Sequence, residues 1–286
     1  MTLTSSCLQP CNGSARMPLK GRIDETEEEI NLSDRSIESF NKINYIFNFS
    51  NIKVLTLSHN KIKSIPYEID KLYNLERLNL FNNYIPDLPN SICNLSKLRL
   101  LNVGMNNIHS LPQGMSRLTM LEVLDLTYNF LDENSFPVDF FTLENLKALY
   151  LSDNELEIVP TDIRSLKSLQ IITLRDNNLI SLPGEIGMLS RLRELLIQNN
   201  RLKMLAPELC NFDISSQRST IRMEGNPLDP ELADQLKLGV SHVLDFIRSD
   251  YYRARYVRHM MEMATITPPP KNEERKNRKL LRLKGK

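Results

Sequence analysis

The residues of this chain that could carry chemistry are few, and their spacing argues against most of it. The first two of its four cysteines, Cys7 and Cys11, could supply half of a metal site, but no second pair completes one. The histidines at 59, 109, 242 and 259 have no metal-like spacing to one another or to cysteine. The nine glycines are scattered and form neither a phosphate-cradling loop nor a dinucleotide fingerprint. Five acids crowd into Asp24–Glu29, which reads as a solvated acidic stretch rather than a general acid–base pair. Tyr251, Tyr252 and Tyr256 stand among arginines, a pattern that invites a nucleic-acid reading. Packing of a helix with its arginine heads in water explains them better. The expectation is therefore no catalytic group, no metal and no cofactor.

Composition narrows the class further. Apolar residues make up 41% and charged residues 25%, ordinary for a globular protein. The net charge of +1 hides an asymmetry, because residues 271–286 hold eight Lys/Arg against two Glu. The remainder is mildly acidic, so total charge implies no nucleic-acid partner. The basic tail reads as solubilising, with weak contact to anionic lipid as the lesser reading. No run of 18 apolar residues exists, and no charged segment followed by an apolar stretch opens the chain, so neither a membrane span nor a signal peptide is expected. Cys93 and Cys210 fall at half-buried positions with nothing to bring them together, which fits a reducing, cytoplasmic compartment.

What must position any functional residue is a repeat. Asparagine recurs at 60, 83, 106, 129, 154, 177 and 200, in steps of 23, 23, 23, 25, 23 and 23. Apolar residues precede each asparagine by eight, five and three positions, as with Leu75, Leu78 and Leu80 before Asn83. Another follows two positions later, and most repeats then add Leu/Ile/Val-Pro, as in Leu88-Pro89. The pattern is L-x-x-L-x-L-x-x-N-x-L, the leucine-rich repeat. Its paired leucines alternate at period two, which makes a short strand with one buried face. The asparagine turns the chain and offers its amide to backbone groups of neighbouring turns. Such turns bury their leucines only by stacking. The fold class expected is α/β, a horseshoe-shaped solenoid with a parallel sheet on its concave side and short helical or 3₁₀ return segments on its convex side.

Residues 1–22 read as a flexible N-terminal extension, and 23–228 as the solenoid with its N-terminal cap. Residues 229–266 read as a helical C-terminal cap, in which Leu232, Leu236, Val240, Val243 and Ile247 recur at helical spacing over 229–256 as one helix. The Thr267-Pro-Pro-Pro segment ends it, and 267–286 read as a disordered basic tail. Limited proteolysis is expected to trim the chain to a core of about residues 25–260, since stacked repeats protect one another. Early cleavage between Asn60 and Asn200 would contradict a single solenoid.

The concave wall is where a partner would sit. Its variable residues form columns along the array, with adjacent strands about 4.8 Å apart. One column runs through Asp125, Tyr150 and Thr173, a second through Phe81, Gly104 and Arg175, and a third through Met105, Tyr128, Asp153 and Asp176. Phe81, Met105, Tyr128 and Tyr150 then make a diagonal aromatic and apolar band, flanked by Asp125, Asp153, Asp176 and Arg175. Aromatic residues with arginine are the composition of interface hot spots.

Longer stretches carry a resemblance beyond the generic repeat. They include NLFNNYIPDLP, LNVGMNN, EVLDLTYNFLDENSFP, ALYLSDNELEIVP, LRDNNLISLPGEIG and QLKLGVSHVLDFIRS, together with the 25-residue step at Asn129–Asn154. Over residues 31–259 the chain resembles the Ras suppressor family of leucine-rich-repeat proteins. It departs from that family's Asn-Asn-Pro near the end of the array, where Gly225-Asn226-Pro227 stands, and the two termini fit less well. The resemblance implies a non-enzymatic scaffold of cytoplasmic focal adhesions. Its concave face would bind the last LIM domain of the adaptor PINCH, and through it integrin-linked kinase and parvin, with a damping effect on Ras signalling. Among the matching concave positions, Asp125, Tyr150 and Arg175 are the leading candidates. A reading from another class is a signalling scaffold that binds a small GTPase or a phosphatase subunit, and a third is an enzyme with an unrecognised site.

Overall fold

A computed structural model describes residues 27–215, 219–263 and 265. Cys7, Cys11, the N-terminal extension and the basic tail lie outside the described residues. Within them, nine three-residue strands stack in chain order into one parallel sheet. They are β1 (Glu29–Asn31), β2 (Val54–Thr56), β3 (Arg77–Asn79), β4 (Leu100–Asn102), β5 (Val123–Asp125), β6 (Ala148–Tyr150), β7 (Ile171–Thr173), β8 (Glu194–Leu196) and β9 (Thr220–Arg222). The register never slips: Leu55, Leu78, Leu101, Leu124, Leu149, Ile172, Leu195 and Ile221 are paired in sequence across the sheet. Each is the middle residue of its strand and is buried, so the first and third residues of every strand face the opposite, concave side.

The inward asparagines close each turn as their spacing requires. The Oδ1 of Asn106 accepts from the Ile85 N–H at 3.1 Å, and its Nδ2 donates to the carbonyls of Leu80 and Val103, both at 3.0 Å. The pattern repeats, and consecutive asparagines share acceptors: the Leu80 carbonyl receives Asn83 and Asn106, and the Val103 carbonyl receives Asn106 and Asn129. The residue just before each asparagine holds a left-handed conformation. His59, Asn82, Met105, Tyr128, Asp153, Asp176 and Asn199 all have φ between 54° and 58°. That reversal swings the next side chain, the asparagine, into the interior.

On the convex side every return segment is a 3₁₀ turn. In most, a proline with extended backbone opens the turn, as Pro89 does before Asn90–Asn94. The Leu111-Pro112 repeat differs, since Gly114 at φ 91° delays its turn to Met115–Arg117.

The C-terminal cap is three helices where the spacing suggested one: α1 (Pro230–Leu238), α2 (Val240–Arg248) and α3 (Asp250–Met263). Gly239, at φ 132°, ends α1, and Ser249 in extended backbone separates α2 from α3. Tyr252 locks α3 to the solenoid. Its hydroxyl donates to the Leu205 carbonyl and accepts from the Leu205 N–H, both at 2.8 Å. Arg255 adds ion pairs to Asp229 at 2.8 Å and to Glu231 at 2.6 Å. No helix among the described residues is long and apolar enough to cross a membrane.

Candidate functional site

The concave sheet presents a column that the sequence reading passed over. Across β2 to β8 it consists of the first residue of each strand: Val54, Arg77, Leu100, Val123, Ala148, Ile171 and Glu194. Extending the period-two alternation back by two positions from the Asp125–Tyr150 column would have found it. Val123, Ala148 and Ile171 pack with Tyr150 into an apolar cluster separate from the leucine core, with Leu100 half-buried against them. Tyr150 faces Thr173 and Asp125 in register on its two sides and is 7% exposed. It is thus less an upright anchor than the polar-edged member of an apolar floor.

Asp125 is the clearest departure from expectation. A column residue that looked open is 2% exposed, and its Oδ1 accepts from the Thr127 N–H at 2.9 Å. Burial pushes its carboxyl above the usual range, against the opposing pull of that hydrogen bond. Asn79 and Asn102 make the same local bond to Phe81 and Gly104. Short polar side chains at this position close a turn after the strand, which accounts for them without a partner.

The remaining candidates are more accessible. Arg175 is exposed, with its Nε 3.8 Å from Asp176, and Asp176 also accepts from Asn199 Nδ2 at 3.1 Å. Phe81 is half-buried and sets its ring edge-on to His59, with centroids 5.5 Å apart. A side chain at Gly104 would meet that ring, since an added Cβ would lie 3.1 Å from Phe81 Cδ2. Met105, Tyr128 and Asp153 are half-buried, all three in the left-handed turn. Arg175 lies two positions beyond Thr173, so it is diagonal to Tyr150 rather than level with it.

Along the edge of the sheet, just before each strand, the residues alternate in charge: Glu28, Lys53, Glu76, Arg99, Glu122 and Lys147. Lys53 pairs with Glu28 at 2.6 Å, and Glu122 bridges Arg99 and Lys147, both at 2.7 Å. The hydrogen bond from Lys147, helped by Arg99, holds the Glu122 carboxyl below its usual range. This ladder too escaped the sequence reading, although its alternation at the repeat step is visible there. Among the described residues no group of three or more His, Cys, Asp or Glu could hold a metal ion. The concave face offers apolar floor, aromatic edges and charge, which is the chemistry of recognition.

Comparison with known proteins agrees with this architecture. Residues 30–152 match the family model for a leucine-rich repeat region, and residues 134–179 match the model for the leucine rich repeat. Among solved structures, a TDR receptor aligns with TM-score 0.60 and 27% identity over 70% of this chain and 35% of its own. The crystal structure of PEPR1-AtPEP1 aligns with TM-score 0.55 and 31% identity over 64% of this chain and 26% of its own. Ras suppressor protein 1 of Bos taurus is 61% identical over 268 residues, 92% of this chain and 96% of its own length. The Homo sapiens protein of that name is 59% identical over the same span. The chain belongs to the Ras suppressor protein 1 family of leucine-rich-repeat proteins.

Proposed function

We propose that this chain is a non-enzymatic scaffold whose concave face binds the last LIM domain of the adaptor PINCH. Through PINCH it joins integrin-linked kinase and parvin at cytoplasmic focal adhesions, and from there it modulates Ras signalling. The observation that carries the reading is the concave wall itself. A continuous apolar floor at Val123, Ala148, Tyr150 and Ile171 lies beside the exposed Arg175 and the aromatic edge at Phe81 and Tyr128. Relatives named Ras suppressor protein 1, matched over nearly their whole length, support the family setting.

Titration calorimetry of the purified chain against that LIM domain tests it. Arg175→Glu and Tyr150→Ala are each expected to weaken binding about thirtyfold, roughly 2 kcal/mol, the range of a hot spot. Lys63→Glu, exposed on the outer loop, is expected to bind as wild type. Thermal melts run alongside, because Tyr150→Ala also opens the apolar floor. Failure of the wild-type chain to bind would sink the reading. Capture of a small GTPase or a phosphatase subunit by the same face would replace it with the signalling-scaffold alternative.

A further inference from the structure

The seven left-handed turn residues are not chemically equivalent. Asn, Asp and His tolerate this conformation far better than other side chains do, and they fill five of the seven places. Met105 and Tyr128 fill the other two, with φ 57° at each. For bulky side chains this backbone is a true outlier, of the kind that clusters at ligand contacts. The turn does not demand them, because Asn82 one repeat earlier and Asp153 one repeat later make the same reversal. Their N–H groups enter the same ladder as their neighbours', Met105 to the Thr127 carbonyl at 2.7 Å and Tyr128 to the Ser152 carbonyl at 2.9 Å.

The two exceptions are also adjacent. They follow β4 and β5, whose first residues, Leu100 and Val123, are the ones that extend the apolar floor toward the N-terminal end of the array. Each of these two strands therefore has an apolar residue at its start and another in the turn that follows it, Leu100 with Met105 and Val123 with Tyr128. Between the ends, Asn102 and Asp125 turn their oxygens toward their own backbone, and Gly104 has no side chain at all. The Phe81 ring covers the main chain there, so the apolar and aromatic side chains at the two ends are what a partner meets. Beyond Tyr128 the same column continues with Asp153 and Asp176, and Asp176 is engaged by Arg175 at 3.8 Å and by Asn199 at 3.1 Å.

We infer that Met105 and Tyr128 are specificity residues of the concave face, kept at a cost in fold stability to receive an aliphatic or aromatic side chain of the partner. The inference rests on the LIM-domain reading above and adds to it a place where stability and binding pull in opposite directions.

The test uses Asn and Ala variants at both positions in the full chain, with melting curves and calorimetric titration against the PINCH LIM domain. Alanine removes the side chain but keeps the unfavourable backbone, whereas asparagine removes the side chain and relieves the backbone. Each Asn variant is expected to melt about 2–4 °C above its Ala counterpart. The double variant M105N/Y128N is expected to bind the LIM domain at least tenfold more weakly than wild type. Equal melting of the Asn and Ala variants would overturn the strain argument. A double variant that binds as wild type, while Arg175→Glu does not, would overturn the inference and leave the LIM-domain reading standing. If the wild-type chain fails to bind the LIM domain, the reading fails and this inference falls with it.

Discussion

Asn106→Ala is expected to destabilise the fold by about 3 kcal/mol and to lower Tm by about 6–12 °C. The side chain is 4% exposed and makes bonds to the preceding turn and to its own. The shared ladder decides how large the effect is. After truncation the Leu80 carbonyl keeps Asn83 and the Val103 carbonyl keeps Asn129, so neither is fully orphaned. The Ile85 N–H, by contrast, loses the acceptor that Asn106 supplies, and a buried donor without a partner costs about 1–3 kcal/mol. Loss of the shared bonds and of packing supplies the rest. Asn106→Asp separates these contributions, since it keeps an acceptor for Ile85 but turns carboxylate oxygen toward carbonyls. It too is expected to destabilise. Differential scanning calorimetry reads both, and an unchanged melt for Asn106→Ala would refute this account of the turn.

The largest effect is expected at the cap. Tyr252→Ala removes a side chain that is 1% exposed and stacks among Phe246 and Tyr256, and should cost about 3–5 kcal/mol. Tyr252→Phe isolates the hydroxyl. It leaves the N–H and carbonyl of Leu205 without this partner and should cost about 2 kcal/mol. Burial holds the phenol protonated well above the ordinary tyrosine range, with the Leu205 hydrogen bond pulling the other way. A folded-state value above the unfolded one means that this contribution is complete below the unfolded pKa of about 10 and is lost as pH rises beyond it. Wild type should therefore lose stability above about pH 10 more steeply than Tyr252→Phe does. Parallel alkaline slopes in urea melts of the two proteins would show that the hydroxyl does not link the cap to the solenoid.

The sequence made the solenoid legible because its determinants are invariant in type: the leucines and asparagines must face inward in every turn. The concave face was only half legible. Asp125 read as an open acid because nothing in its column distinguishes a side chain aimed at a partner from one bonded to Thr127. The floor around Val123 and Ile171 was missed because aliphatic residues at the start of a strand read as core. The left-handed turn was invisible because Asn, Asp and His at that place read as ordinary surface. In the cap, Leu236, Val240 and Val243 keep helical spacing across Gly239, so the pattern ran through a break that only backbone geometry reveals.

The alternating charges at the sheet edge bear on how the array assembles. Repeats this alike can stack out of order, one turn docking onto its next-but-one neighbour while the turn between loops out. Every leucine would still find a leucine, so the core alone barely opposes the error. The edge opposes it, because a skipped turn sets Lys53 beside Arg99, or Glu76 beside Glu122. Opposite charges on neighbouring turns become like charges, and like charges directly opposite on a sheet are destabilising. The row of alternating charges thus acts as a parity check on strand order. It rejects single omissions from Glu28 to Lys147 and stops at Gln170, where the alternation ends.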